Sequence, residues 1–436
     1  MKKSVISILF LTFGVSLCAA DSTAAPAVNS GDTAWVLTSS ALVMFMTAPA
    51  LALFYGGLVK RKNVLNILMQ CFITLALVSL LWITYGYSLC FSPNGMFHGF
   101  IGNLDWAFLS GVGLTPHSVY GPTVPHLAFM IFQGMFAVIT PALIIGAFAE
   151  RMKFSTFLVF TVLWLTLVYC PVTHWVWSSG GWLAKKGAVD FAGGIVVHIN
   201  AGIASFVTAV MIGKRRYLKP TPPHNMTYTM MGAAMLWFGW FGFNAGSALS
   251  ANGLAANAFV VTNTAAAMGT MTWLALDWIC SKNPTMLGSA TGAIAGLAAI
   301  TPASGFVDIR GAIIIGAVSS IVCFFMVVVV KSKLGYDDAL DAFGVHGIGG
   351  IWGSIAVGLF AFPAIQSGYR GLCFGDSNLL KSQLLAVGVT TLYSLAATFI
   401  LYKVLDMAMG LRINENEEAM GLDITLHNER AYTVIE

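Results

Sequence analysis

The chain has 436 residues, of which 57% are hydrophobic and only 9% are charged, and its mean hydropathy is +0.80. A soluble domain carries about 25% charged residues, so a chain of this length with so few charges could not cover a water-facing surface. The formal net charge of +4 is small and gives no indication of nucleic-acid binding. The composition therefore predicts an integral membrane protein.

The first residues have the pattern of a secretory signal. Lys2 and Lys3 precede an apolar run over 6–17, and small residues at 18–20 suit a cleavage site. We predict a signal peptide over 1–20 and a short external N-terminus over 21–32. An uncleaved first helix is the alternative.

About eleven apolar segments follow, each near the roughly 20 residues that a helix needs to cross a bilayer. They are 33–58, 64–91, 125–149, 154–175, 191–213, 227–247, 256–280, 285–302, 307–331, 343–362 and 383–409. The 45 glycines favour close helix packing in lipid. We predict an all-α polytopic membrane protein with a transmembrane domain over 33–410 and a polar tail over 411–436.

Basic residues follow alternate predicted spans. They cluster at 60–62, 151–153, 214–219 and 331–333, whereas the loop 92–124 contains no Lys or Arg. We predict that the protein lies in the plasma membrane. The positive-inside rule then places its N-terminus outside the cell and its tail in the cytoplasm. The predicted signal peptide delivers the N-terminus to the same side.

A short pattern occurs twice, five spans apart. Val197-His198 is followed by Gly202, and Val345-His346 is followed by Gly350, with the same spacing. An aspartate precedes each copy, and we assign Asp190 and Asp341 to these two positions. An inverted repeat with a shared site at the midplane would explain the echo, as in many transporters. Chance similarity is the alternative.

His198 and His346 are the main chemical signal. Ionisable groups inside a bilayer cost about 2.5–3.5 kcal/mol on insertion scales and usually line a pathway. A neutral imidazole donates from one nitrogen and accepts at the other, which suits a small hydrogen-bonding solute. Two satisfied interhelical histidines are the alternative. A metal site is disfavoured because no third ligand is suitably spaced. Asp190 is interpreted as a cap of the His198 helix, with direct cation binding as the alternative.

Aromatic residues form the second signal. Phe132 and Phe136 lie four apart and so on one helix face, and Trp177 lies at the end of the fourth span. Trp240, Phe243 and Ser247 share a later span. Together they suit a vestibule in which a cation lies over ring faces. Ordinary packing or interface belts would use the same residue types.

Several long stretches resemble the ammonium transporter family, the Amt, MEP and Rh proteins. They are FQGMFAVITPALIIGAFAER, DFAGGIVVHINAGIASFV, GWFGFNAGS, DAFGVHGIGG and the tail GLRINENEEAMGLDITLHNERAY. The likeness runs from about Asp32 to Tyr432. It implies a homotrimer with one pore per subunit, built from two inverted five-helix repeats plus a final helix.

The resemblance also implies roles for individual residues. Phe136 and Phe243 would form the outer pore gate, and Trp177, Ser247 and the Phe136 ring would bind the cation. His198 and His346 would line the pore with Trp240 and Tyr55. Asp190 would be the acidic residue beneath the outer cation site and would act electrostatically. The tail would meet a PII-type nitrogen regulator. One departure is Asn428, where many relatives have Gly.

The resulting expectation is a transporter of ammonium or ammonia, with methylammonium as a candidate analogue. It includes no enzymatic activity, cofactor or metal, since a hydrolase would need a nucleophile with an orienting partner or a third metal ligand. An ammonium sensor of the same fold is the alternative, although no signalling domain follows the last span. The choice between ion transport and net ammonia conduction stays open, as does a Cys90–Cys373 disulfide.

Overall fold

A computed structural model describes residues 27–97, 99–216 and 222–432. The predicted signal peptide and the first half of the predicted N-terminal segment, 21–26, lie outside this range. The eleven predicted segments are all helical, which confirms the polytopic helical fold. We number them α1 Ser30–Leu58, α2 Arg61–Phe91, α3 His126–Phe148, α4 154–177, α5 Gly194–Ile212, α6 Met226–Gly246, α7 Gly253–Ser281, α8 Met286–Ile300, α9 Ile309–Leu334, α10 Phe343–Phe360 and α11 Asn378–Met409.

Nine of these helices, within the described part of the chain, are long and apolar enough to cross a membrane. The other two are α6 and α8, of which α8 is short and apolar. Both contribute buried faces to the bundle, and α6 carries the aromatic residues singled out above. The chain is therefore a multi-pass membrane protein.

The connection between α2 and α3 contains two small antiparallel hairpins. Strand β1 (Gly95–Met96) pairs with β2 (Ile101–Gly102), and β3 (Pro116–His117) pairs with β4 (Gly121–Pro125). These hairpins cover one end of the bundle. The polar tail lies at the other end, as shown by its contacts with the start of α2.

The central feature of the bundle is the close crossing of α5 and α10. A Cβ atom on Gly202 would lie 2.2 Å from the Cα of Gly347, and a Cβ on Gly350 would lie 2.9 Å from the Cβ of His198. Each glycine of the repeated pattern thus packs against the histidine region of the other copy. This reciprocal contact is the geometry that two inverted repeats produce.

Both helices begin with a π-helical turn that contains the histidine, over Gly194–Ile199 in α5 and Phe343–Gly347 in α10. Aspartates cap both turns. Asp190 accepts hydrogen bonds from four backbone amides over 193–196, at 2.7–3.0 Å. Asp338 accepts from the amides of Ala342 and Phe343. Each aspartate lies eight residues before its histidine.

Our assignment of Asp341 to the repeated acidic position is therefore wrong. Its carboxylate instead binds the Lys331 ammonium at 2.6 Å. Asp341 lies three positions after Asp338, and it is Asp338 that accepts the amides at the start of α10. The suggested Cys90–Cys373 disulfide is also wrong, because both thiols are free and Cys90 is buried whereas Cys373 is exposed.

The tail is folded rather than extended. It forms α12 (Glu415–Met420), which a capping box at Asn414 initiates, and α13 (Leu422–His427). The side chain of Asp423 accepts from the Asn66 amide at 2.9 Å, and the Asn63 side chain accepts from the Leu422 amide at 2.8 Å. These contacts fix the tail to the first turns of α2.

Candidate functional site

A cluster of aromatic rings lies at one end of the cavity that contains the histidines. The rings of Phe136 and Phe243 are 4.3 Å apart, centroid to centroid, with an interplanar angle of 36°. Trp177 meets the Phe136 ring edge-on at 5.6 Å, and Phe132 does so at 4.9 Å. Phe136 and Phe243 are fully buried.

Polar groups of this aromatic cluster have defined partners. The Ser247 hydroxyl donates to the backbone oxygen of Phe243 at 2.9 Å, so its own lone pairs are available to accept a hydrogen bond from a cation. The Trp177 indole donates to the backbone oxygen of Asp190 at 2.8 Å. Because the Asp190 carboxylate is occupied by backbone amides, capping explains this residue better than direct cation binding.

Below the rings lies the histidine pair. The Nδ1 atoms of His198 and His346 are 3.3 Å apart, and their rings are nearly parallel at 13°. Trp240 stacks on His198 at 5.5 Å, and the Thr301 hydroxyl holds its indole nitrogen at 2.8 Å. All three ring systems are buried.

The Nδ1–Nδ1 contact fixes how a neutral pair can act. One Nδ1 donates and the other accepts, so the donor ring has an acceptor at Nε2 and the acceptor ring has an N–H at Nε2. The Nε2 of His198 has no protein partner. The pair can thus offer one acceptor and one donor to a small solute.

The cavity beside the histidines is otherwise apolar and very small, with a volume of about 10 Å³. Its apolar lining comes from Met46, Leu51, Phe54, Ile139, Leu143, Val197, Leu236 and Ile294. An ion that entered it would lose most of its hydration without gaining a counter-charge. The cavity therefore favours a neutral solute over an ion.

A wider cavity of about 200 Å³ continues beyond the histidines. His346 borders both cavities, and Tyr55, Arg215 and Asp341 line the second one. The Tyr55 hydroxyl donates to the backbone oxygen of Leu143 at 3.0 Å, which holds its ring in place.

Arg215 is held by two carboxylates at the mouth of the wider cavity. Its guanidinium makes two hydrogen bonds of 2.9 Å to Asp337 and one of 2.7 Å to Glu150. Burial opposes ionisation of both carboxyl groups. At Asp337 the positive charges of Arg151 and Arg215 outweigh this effect, and at Glu150 the charge of Arg215 and the hydrogen bonds from Arg215 and Asn63 do so. The pKa of each carboxyl therefore lies below its usual value, and both are charged at neutral pH.

Comparisons with known proteins identify the family. Residues 34–432 match the model of the Ammonium Transporter Family. The chain belongs to the ammonium transporter family. A Bacillus subtilis relative named "Ammonium transporter" is 53% identical, over 93% of this chain and 99% of its own. "Ammonium transporter Amt1" of Archaeoglobus fulgidus is 51% identical, over 93% of this chain and 100% of its own.

Solved structures of the ammonium transporter family share this fold. The crystal structure of Saccharomyces cerevisiae Mep2 superimposes with a TM-score of 0.83 at 35% identity, covering 89% of this chain and 88% of its own. A structure described as "Sensor Amt Protein" has a TM-score of 0.83 at 28% identity, covering 91% of this chain and 98% of its own.

The departure from the ammonium transporter pattern at Asn428 has a simple explanation. Asn428 ends α13 in the left-handed conformation, with φ 54° and ψ 34°. Glycine adopts this conformation freely, and Asn tolerates it better than most other residues. Asn in place of Gly therefore keeps the end of the tail helix, and its amide still donates to the backbone oxygen of Ile424 at 3.0 Å.

Proposed function

We propose that this member of the ammonium transporter family recognises ammonium at the aromatic cluster and passes ammonia through the histidine-lined cavity. The observation that carries the proposal is the contact between two buried imidazoles, 3.3 Å apart, next to a pair of closely packed phenylalanine rings. An apolar cavity with one hydrogen-bond donor and one acceptor suits a small neutral amine.

Recognition of the cation would take place at the ring faces. Trp177 and Phe136 supply aromatic surface, and Ser247 supplies an oxygen with free lone pairs. A desolvated cation–π contact contributes up to about 2 kcal/mol. Water lacks the positive charge that the ring faces bind, and potassium lacks the N–H donors that the Ser247 oxygen binds.

Passage beyond the rings requires loss of the proton. The Born cost of a bare ion in a medium of low dielectric is tens of kcal/mol, which cation–π contacts cannot offset. Ammonia avoids that cost, and the neutral histidine pair replaces part of its hydration. Tyr55 and Arg215 line the cavity in which ammonia would meet water again.

The protein would lie in the plasma membrane with its N-terminus outside and its tail in the cytoplasm, as the basic loops indicate. We propose a homotrimer with one pore per subunit and methylammonium as a second substrate. The tail contacts the backbone of Arg216, whose neighbour Arg215 lines the wider cavity. At this position the tail would be the contact for a PII-type regulator.

Transport by a histidine variant in proteoliposomes tests the proposed function. We expect replacement of His198 and His346 by Ala to abolish selective methylammonium uptake, because the apolar cavity loses the two imidazoles that can hydrogen-bond a solute, while the oligomer stays assembled. His117→Ala, which changes a histidine of the distant β3 hairpin, is the control. Normal uptake with potassium still excluded in the double variant would refute the pore assignment.

Similarity to a sensor protein of the same fold supports a second candidate, ammonium sensing. A sensor of this kind need not carry solute at a high rate. Purified protein that binds ammonium but gives no uptake in vesicles, under conditions in which a transporter of the family does, would favour sensing.

A further inference from the structure

A basic groove lies between the start of α2 and the folded tail. It measures about 300 Å³ and is lined by Arg61, Lys62, Met420, Asp423, Ile424, Arg430, Ala431 and Tyr432. We call it the tail groove. Three of its residues are cationic, and none of them belongs to the route through the bundle.

The cations of the tail groove are only partly occupied. Arg61 lies over the Tyr432 ring at 5.1 Å, and Lys62 donates to backbone oxygens of Glu418 and Ala419. Within the described ranges, neither Arg61 nor Arg430 forms an ion pair, and both are exposed. The remaining charged group, Asp423, accepts from the Asn66 amide through Oδ1, and among the described residues its Oδ2 has no partner and it forms no ion pair with Arg61 or Arg430. The groove therefore has two guanidinium groups without a counter-ion.

Apolar side chains border the same groove. Met420 is 61% exposed and Ile424 is 38% exposed, and both line this groove. Exposed apolar side chains beside unpaired cations are typical of protein surfaces that rest at the membrane interface.

The position of the tail places this groove at the depth of lipid headgroups. The apolar span α2 begins at Arg61, and Asp423 binds an amide only five residues further along that span. On the other side of the same tail segment, an apolar groove runs up the outside of the bundle. It is lined by Ala48, Ala52, Leu65, Leu68, Met69 and Phe72, with His427 and Glu429 at its end.

We propose that the tail groove binds the headgroup of an anionic phospholipid, with Arg61 and Arg430 pairing with its phosphate. Guanidinium groups bind phosphate oxygens in a bidentate manner. One phosphate between a span terminus and the tail would hold the tail against the bundle. Lipid is favoured over a soluble anion because of the exposed Met420 and Ile424 and the adjoining apolar groove.

Native mass spectrometry and hydrogen exchange on the full chain test this proposal. The protein is placed in nanodiscs of phosphatidylcholine, with or without phosphatidylglycerol. We expect phosphatidylglycerol to stay bound preferentially and to slow amide exchange over 415–432. Each basic residue near an anionic surface adds about 1 kcal/mol, which is about fivefold in binding. Arg61→Gln and Arg430→Gln should each reduce phosphatidylglycerol retention about fivefold.

Matched variants separate charge at this groove from charge elsewhere. Arg370→Gln and Lys381→Gln remove exposed cations outside the groove and should retain phosphatidylglycerol as the wild type does. Arg61→Gln also removes the contact with Tyr432, so the effect of charge alone is tested at Arg430. Arg430→Lys keeps the charge and should restore most of the phosphatidylglycerol retention that Arg430→Gln loses.

Two outcomes would overturn the proposal. One is equal phosphatidylglycerol retention by the wild type and the Arg61→Gln, Arg430→Gln double variant. The other is equal protection of the tail by glycerol phosphate in phosphatidylcholine discs, which would indicate a site for a soluble anion. Neither outcome bears on the histidine-lined route, since uptake of methylammonium is measured separately.

Discussion

At the scale of single residues, Trp177 has two separable roles. Its ring meets the Phe136 ring edge-on at the proposed cation site, and its indole nitrogen donates to the backbone oxygen of Asp190. Asp190 in turn caps the helix that carries His198. A substitution at Trp177 can therefore act on cation binding, on the position of α5, or on both.

We predict that Trp177→Leu weakens the apparent affinity for ammonium. Loss of a cation–π contact of about 0.5–2 kcal/mol corresponds to roughly a two- to thirtyfold change. The measurement is the concentration dependence of current or uptake in vesicles. Trp177→Phe, which keeps a ring but lacks the indole donor, separates the two roles. Trp182→Leu, at an aromatic residue that contacts Trp175 instead, is the control. An unchanged saturation curve in Trp177→Leu would contradict a cation site at this ring.

The positions of the site residues were predictable largely because the motifs around them are long and resemble a known family. Composition and spacing alone indicated two buried histidines and an aromatic cluster, but left their alternatives open. Asp338 was missed although its distance from His346 in the chain equals that of Asp190 from His198. Thr301 was missed for a different reason. Its hydrogen bond to Trp240 joins residues 61 positions apart, and no local pattern indicates such a partner.

At the scale of helices, the crossing of α5 and α10 determines the distance between the imidazoles. The histidines lie in the π-helical turns that begin these helices, and the glycines of the repeated pattern allow the two backbones to touch. π-Helical turns occur frequently at functional sites. The length and apolar character of the spans were readable from the sequence, whereas the π-helical turns depend on how the helices pack.

We predict that Gly202→Ala disrupts this crossing. The new methyl group would lie 2.2 Å from a backbone atom of Gly347, so one helix must move, and overpacking of this kind costs about 1–3 kcal/mol. The unfolding temperature in detergent should fall, and uptake should fall with it because the imidazoles separate.

Gly388→Ala is the matched control for this prediction. Gly388 lies within α11, and a Cβ atom there would have no neighbour within 4 Å. Alanine should be neutral or slightly stabilising at that position, because glycine inside a helix is less favourable than alanine by about 0.5–1 kcal/mol. Equal unfolding temperatures and equal uptake for the two variants would show that the close contact is not required.

At the scale of the whole molecule, one residue of the tail joins three segments. The Glu418 carboxylate accepts from the Arg412 guanidinium at 2.8 Å and from the backbone amide of Arg216 at 2.6 Å. Arg216 follows Arg215, which lines the wider cavity and binds Asp337 and Glu150. A short chain of charged contacts thus connects the tail to the mouth of the route.

The folding of this tail was only partly predictable. Its mixture of apolar and polar residues indicated a docked segment rather than a solvated charge run, and α12 and α13 do pack on the bundle. Its partners could not be read from the sequence, because Glu418 and Arg216 are 202 residues apart. The role of Asn428 likewise became clear only from its left-handed backbone conformation.

We predict that truncation after Asn414 lowers uptake and removes binding of a PII-type regulator. This end point keeps the pairing of Met152 with Arg412, and so leaves the end of α11 in place while removing α12 and α13. Without Glu418, the amide of Arg216 loses its acceptor, and the segment that positions Arg215 at the wider cavity becomes less constrained. Glu418→Gln is the finer variant, since it retains the tail but weakens the two charge-assisted hydrogen bonds. It should lie between the truncated and full chains in uptake. If the truncated chain takes up methylammonium at the full rate and binds the regulator with unchanged affinity, the tail has no regulatory function, and its docking serves stability alone.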